Sequence, residues 1–369
     1  MTSFADTPRL LTELGMLLWQ CQIAVRRGLL NGTLSNFEAE AFDPEQPLVL
    51  GTEEFHEVLE ALVPGNPASV ERGLPHAGLP PTMADRKAHE LIERRIGHII
   101  EVDVVSGEEG TDAAWAKLLS FAELDPRDRT VLLALLDSID GSGPQDTFGV
   151  GYSTNLLIYR GTGHAATAEP EIGIVVTCTG TMLAWSHGDP VYAAELAGAH
   201  SAEEVELVAL LEPKVPVEEV RHGWVAAVAA QQRHREPLRG LIAPGSSVSL
   251  GTLGGAPVMP QLLLGRLHAL VVPSAQSRHD AVPLLALAQE MGLTFKDLAT
   301  GRNYTNAQVR GFFTGLHAPA ESNRGEGSTA YRPVPAMIVA RAEEFAHELF
   351  VQLSRVEDLT AGAEWAGEA

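Results

Sequence analysis

Leu132-Leu133-Ala134-Leu135-Leu136-Asp137-Ser138-Ile139-Asp140-Gly141-Ser142 is an apolar run, long enough for a buried strand, that ends in two carboxylates, a glycine and a hydroxyl. Carboxylates at the mouth of a buried strand are costly unless something pairs with them. A hard divalent cation is the natural partner because it prefers oxygen ligands. Gly141 lets the backbone approach an anion closely. If a helix starts beyond it, free N–H groups there would receive phosphate oxygens. The stretch therefore reads as a metal-dependent site acting on a phosphate.

The rest of the composition sets bounds on that reading. The chain has 369 residues, 45% of them hydrophobic and 20% charged, which is the range of one large globular domain or two closely packed ones. The formal net charge of −22 argues against nucleic acid or an anionic membrane as partner. It also means that local cations must reverse the field for an anionic substrate. Cys21 and Cys178 give neither a disulfide framework nor a zinc spacing, and the thirteen histidines form no HExxH pair. The N-terminus lacks a signal-type segment, and no apolar run reaches the ~18 residues of a membrane span. A cytoplasmic protein is expected.

Along the chain, Leu10 to Arg27 reads as an amphipathic helix with Leu11, Leu14, Leu18, Cys21 and Val25 on one side. Residues 31–81 read as a long loop region with one short helix near Glu53–Leu62. Asp85 to Ile100 reads as a helix with Ala88, Leu91, Ile92, Ile96, Ile99 and Ile100 at helical spacing, opened by a capping-box pair, Thr82 and Asp85. Four strands, Thr154–Tyr159, Ile172–Cys178, Thr181–Trp185 and Val191–Glu195, have the spacing of an antiparallel meander. Residues 201–239 read as helical and charged. Ser246–Leu250 and Ala269–Val272 read as short strands. Asp280 to Met291 reads as a helix with Ala281, Leu284, Leu285 and Ala288 inward and Gly292 as its stop. Residues 301–332, polar and Gly-rich, read as a mobile loop or lid. Val334–Val339 and Ala342–Leu353 close the chain as strand and helix. No internal repeat is present.

Acidic residues elsewhere join the opening pair. Glu108 and Glu109 lie in a turn-like segment after an apolar strand, and Asp280 opens a helix. With Asp137, Asp140 and the Ile139 carbonyl they can hold two or three magnesium ions. Such ions activate water, neutralise phosphate charge and stabilise a leaving alkoxide.

Asp137-Ser138-Ile139-Asp140-Gly141-Ser142 resembles the DPIDGT/DPLDGS signature of the inositol monophosphatase and fructose bisphosphatase superfamily. Gly107-Glu108-Glu109 is similar to its GEE/SEE motif. Pro81-Thr82-Met83-Ala84-Asp85-Arg86-Lys87-Ala88 resembles its VTxAD helix start. Arg278-His279-Asp280-Ala281-Val282-Pro283, with Glu290-Met291-Gly292, resembles WDxAA…EAGG. The order of the motifs matches from about residue 80 to about residue 300. The stretch through Leu157-Ile158-Tyr159-Arg160 leans toward the fructose bisphosphatase branch and the Asp280 helix toward the inositol monophosphatase branch. Three departures stand out. Ser138 replaces the usual proline, His279 replaces the usual tryptophan, and the segment between Glu108 and Asp137 is stretched around residues 111–128.

The resemblance implies an α/β (α+β) fold, a layered αβαβα sandwich of the sugar phosphatase type. Residues 1–200 would form an N-terminal α+β half carrying most metal ligands. Residues 201–369 would form a C-terminal α/β half carrying Asp280 and the substrate rim. Glu108, Asp137, the Ile139 carbonyl, Asp140 and Asp280 would bind Mg²⁺, with Glu109 supporting them. Ser142 and Asp85 would orient the attacking water, the Gly141 and Ser142 amides would hold phosphate, and Gly245 and Ser246 would lie beside the substrate together with Asp280. The implied activity is hydrolysis of a phosphate monoester of a small sugar, polyol or related metabolite, by direct attack of metal-activated water with no phosphoenzyme. Inositol phosphates and phosphoadenosine nucleotides are the alternative substrates, and a non-catalytic sugar-phosphate sensor is the alternative from another class. The expected assembly is a homodimer or higher homo-oligomer.

Blander readings stand beside several of these roles. Asp85 and Asp280 serve equally as helix caps, and Glu109 as a solvated surface acid. Arg221, Arg233, Arg235 and Arg239 form either an anion-attracting patch or one wet helix face. His279 either touches substrate or packs.

Overall fold

The computed structural model describes residues 7–30, 83–107, 130–140, 152–162, 169–210, 223–228, 238, 248–253, 258–273, 278–313 and 334–354. Two helices, α1 (Thr7–Leu30) and α2 (Met83–Ile96), cover one face of a seven-stranded sheet. Its strands are β1 (Val104–Gly107), β2 (Thr130–Asp140), β3 (Ser153–Thr162), β4 (Glu169–Thr177), β5 (Thr181–Ser186), β6 (Tyr192–Glu195) and β7 (Val208–Ala209), and they lie in chain order. β1 and β2 are parallel, and every later pair is antiparallel. The expected meander is present, its strands a residue or more longer or shorter at the ends.

The second sheet contains β8 (Gly223–Val228), β9 (Val248–Leu253), β10 (Ala269–Val272), β11 (Thr294–Asp297) and β12 (Met337–Ala340), in the order β11-β12-β10-β8-β9. β8 runs parallel to β9 and β10, and β12 is antiparallel to β10 and β11. Helices α3 (Val258–Leu263), α4 (Arg278–Glu290) and α5 (Asn306–Phe313) share one core with the facing sides of both sheets. The last helix among the described residues, α6 (Glu343–Ser354), packs on the outer face of the second sheet. The layers thus run α, β, α, β, α, as expected.

Side-chain alternation shows how β2 serves two layers. Val131, Leu133 and Leu135 join the core around α4, whereas Ala134 and Leu136 join the core beneath α1 and α2. In the second sheet Leu270 and Val272 face the middle layer, and Ala269 and Val271 face α6. Both faces are covered, so these strands read as continuous apolar runs. The middle layer has the same effect on α4, whose residues Ala281 to Ala288 are all buried rather than a single stripe. Likewise α1 buries almost every side from Leu11 to Ala24, because it meets α2, β4, β5 and the 3₁₀ turn Ala202–Glu204.

Three expectations are corrected. Residues 201–239 are not one helical segment, because Val208–Ala209 and Gly223–Val228 are strands. The run Trp224-Val225-Ala226-Ala227-Val228 has helix-favouring alanines, but β8 is paired on both edges and sheet pairing overrides local propensity. Residues 301–332 are not a loop throughout, because Asn306–Phe313 forms α5. The helix expected over Asp85–Ile100 ends at Ile96, with Gly97 to Ile99 in a turn. The short helix near Glu53–Leu62 lies outside the described residues.

Candidate metal centre

On an unbroken strand Asp137 and Asp140, three residues apart, would point to opposite faces. In the structure they do not. Asp137 is in register with Asn155 and Asp140 with Ser153, so Ser138 and Ile139 together oppose the single residue Thr154. This is a β-bulge, and its extra residue returns Asp140 to the face that Asp137 occupies. That face is the one of Leu133, Leu135 and Leu157, turned toward α4. Both carboxylates are buried, 2% and 5% exposed.

Buried carboxylates require compensating donors. Asn155 Nδ2 donates to Asp140 Oδ2 at 3.0 Å, and Ser153 Oγ donates to Asn155 Oδ1 at 3.1 Å. Behind the bulge Thr154 Oγ1 donates to the Ser138 carbonyl at 2.7 Å. The three polar residues that open β3 therefore brace the end of β2 from both faces. Ser153, Thr154 and Asn155 are each almost fully buried, and sequence reading missed them as a group. The available signal was three consecutive polar residues at the mouth of an otherwise apolar strand.

The parallel partner of β2 ends at the same edge. Gly107, the last residue of β1, is in register with Leu136, one residue before Asp137. Glu108 and Glu109 follow Gly107 in the chain and lie outside the described residues. So do Gly141, Ser142, Gly245 and Ser246. Asp85 is the third residue of α2 and Asp280 the third residue of α4. Asp280 thus sits inside the first helical turn rather than before it, where the helix dipole favours an acid. α4 packs on β2, β3 and β4, and α2 packs on β2. Of the expected site residues, the structure unites Asp137, Ile139 and Asp140 at one strand end. Among the described residues no cluster of three or more His, Cys, Asp or Glu side chains occurs.

His89, on α2, is a further buried polar residue that no motif in the sequence singles out. Its ring lies against Gly107. Burial pushes its pKa down to about 4, with Glu90 pulling weakly the other way. The imidazole is therefore neutral at pH 7.

The layer order and the strand-end acids can be set against known proteins. Neither a family model nor a curated protein matches the chain at the level of sequence. Solved structures do match. An IMPase of Thermotoga maritima superposes with a TM-score of 0.52 at 13% identity, covering 84% of this chain and 95% of that one. Staphylococcal IMPase-II bound to 2′AMP gives a TM-score of 0.52 at 13% identity, covering 99% and 100%. This chain has the inositol monophosphatase fold. The extragenic suppressor protein SuhB of Bartonella henselae shares that fold too, with a TM-score of 0.50 at 11% identity, covering 78% and 91%. In this IMPase-like frame the donors at the end of β2 are all hard oxygens, the set that suits magnesium or calcium.

Proposed function

We propose that this chain is a Mg²⁺-dependent phosphoric monoester hydrolase acting on a small sugar, polyol or related metabolite. The observation that carries the reading is the bulge that sets two buried carboxylates, Asp137 and Asp140, side by side in an inositol monophosphatase fold. Asp137, Asp140, the Ile139 carbonyl, Glu108 and Asp280 would hold two or three Mg²⁺ ions, with Glu109 in support. The ions, when bound, supply a water of lowered pKa and neutralise phosphate charge. The remaining work falls to the chain. Backbone amides of Gly141 and Ser142 take phosphate oxygens, and the Ser142 hydroxyl and Asp85 orient the attacking water. Gly245 and Ser246 flank the substrate. Cys21 and Cys178 are both buried, which fits an enzyme that uses no thiol nucleophile.

The staphylococcal protein was captured with 2′AMP, a phosphate monoester on ribose, so nucleotide monoesters belong beside inositol phosphates among the alternative substrates. The test is a panel of sugar phosphates, inositol phosphates and adenosine monophosphates, assayed with Mg²⁺ and with excess chelator. Phosphate release only with Mg²⁺, inhibited by Li⁺, is the expected result. Asp137→Asn and Asp280→Asn should each lose roughly 3–4 kcal/mol of transition-state stabilisation, or about 10²–10³ in rate. Full activity in chelator contradicts the reading. Binding of a sugar phosphate without any release would make the chain a sensor.

A further inference from the structure

The bulge is held from behind by a helix that belongs to no part of the expected site. Gln22 lies on α1, among Leu18, Cys21 and Ile23, and is 2% exposed. Its Nε2 donates to Thr154 Oγ1 at 2.9 Å and to the Val176 carbonyl at 2.8 Å. Both amide hydrogens are thus used. Thr154 Oγ1, having accepted from Gln22, spends its one hydrogen on the Ser138 carbonyl. The direction of the chain is fixed, since reversing the Gln22 amide would set its oxygen against the Val176 carbonyl. Gln22 Oε1 is left buried with no hydrogen-bond partner among the described residues. A methionine would fill the same space without that cost, so packing alone does not account for an amide here.

The geometry points to Gln22 and Thr154 as positioning residues of the metal centre. Their relay from α1 through β3 to the Ser138 carbonyl pins the two-residue bulge that brings Asp137 and Asp140 to one face. This inference rests on the proposed metal-dependent reading and adds residues that touch neither metal nor substrate. Ser138 stands where the resembled signature has proline. Proline would restrict the turn through its ring, whereas a serine backbone has no such restraint. The hydrogen bond to its carbonyl supplies a restraint in the ring's place. Without it, β2 is free to regain the plain register with β3, in which Asp140 turns away from Asp137.

The test measures Mg²⁺ affinity by titration calorimetry, with melting temperature in chelator recorded in parallel. Thr154→Val removes the hydroxyl at constant shape and, by loosening the bulge that carries both carboxylates, should weaken Mg²⁺ binding roughly 10–100-fold, as lost support around a metal site does. Thr154→Ser keeps the hydroxyl and should keep the affinity. Gln22→Met should weaken binding less than Thr154→Val, and the double variant no more than Thr154→Val alone. Gln22→Met also decides the matter if Thr154→Val fails to fold. Unchanged affinity in the folded variants, with only a lower melting temperature, overturns the inference and leaves the metal reading intact. A wild-type chain that binds no Mg²⁺ overturns the metal reading and the inference with it.

Discussion

At the level of single residues, β1 ends on a glycine that is closely packed on two sides. A methyl group at Gly107 would lie 2.5 Å from the His89 ring atoms Cε1 and Nδ1 and 2.9 Å from the Leu136 carbonyl oxygen. Gly107→Ala should therefore cost about 1–3 kcal/mol in urea denaturation. Adding His89→Ala should recover part of this, because the clash with the carbonyl remains. A neutral Gly107→Ala would show that the close packing is not real. His89 also gives a pH dependence. Its pKa is near 6.5 when unfolded and about 4 when folded, so the unfolded chain binds more protons between those values. Stability is then full above about pH 6.5 and declines as pH falls, by about 3 kcal/mol near pH 4. Melting curves of wild type and His89→Gln over that range should diverge toward acid, the wild type losing more; parallel curves would remove His89 as the cause. Of these residues the sequence showed Gly107 only as part of a motif, and His89 not at all. Burial depends on what arrives from elsewhere in the chain, and no local pattern reports that.

At the level of elements, the helix stop at Gly292 was legible, and its geometry is now explicit. Gly292 has φ +70°, its N–H donates to the Gln289 carbonyl, and the Leu293 N–H donates to the Ala288 carbonyl. This is a Schellman cap. A Cβ at Gly292 meets nothing within 4 Å, so Gly292→Ala should cost only the backbone term, about 1–2 kcal/mol. Gly292→Asn should cost less. A larger loss in thermal denaturation would mean that the cap does more than end α4. Helix α5 was legible in principle and was passed over. Thr305 Oγ1 accepts from the Gln308 N–H while Gln308 Oε1 accepts from the Thr305 N–H, a reciprocal capping box written as Thr-x-x-Gln. The surrounding Gly-rich composition hid it. The bulge in β2 was not legible, because Asp137-x-x-Asp140 reads the same on a plain strand. Only the pairing of β2 with β3 reveals that two residues oppose one. The placement of two acids was thus visible in the sequence, and their shared face was not.

At the level of the whole molecule, the layer order followed from motifs spread over more than half of the chain, and the superposed IMPase structures share it. The two parallel strands β1 and β2 run side by side, with Gly107 beside Leu136, and the acids of both motifs follow these two residues in the sequence. A chain of net charge −22 that binds an anion needs concentrated positive charge, and a neutral His89 does not supply it. In the proposed reading, divalent cations held at the end of β2 would supply it. The central claim is that the bulge turns Asp137 and Asp140 toward one cation. The most direct measurement is anomalous scattering from crystals soaked in Mn²⁺, an oxygen-seeking stand-in for Mg²⁺. The expected result is a peak within about 2.0–2.3 Å of carboxylate oxygens from both Asp137 and Asp140, lost in Asp137→Asn. Crystals saturated with Mn²⁺ that show no peak between these two carboxylates would contradict it.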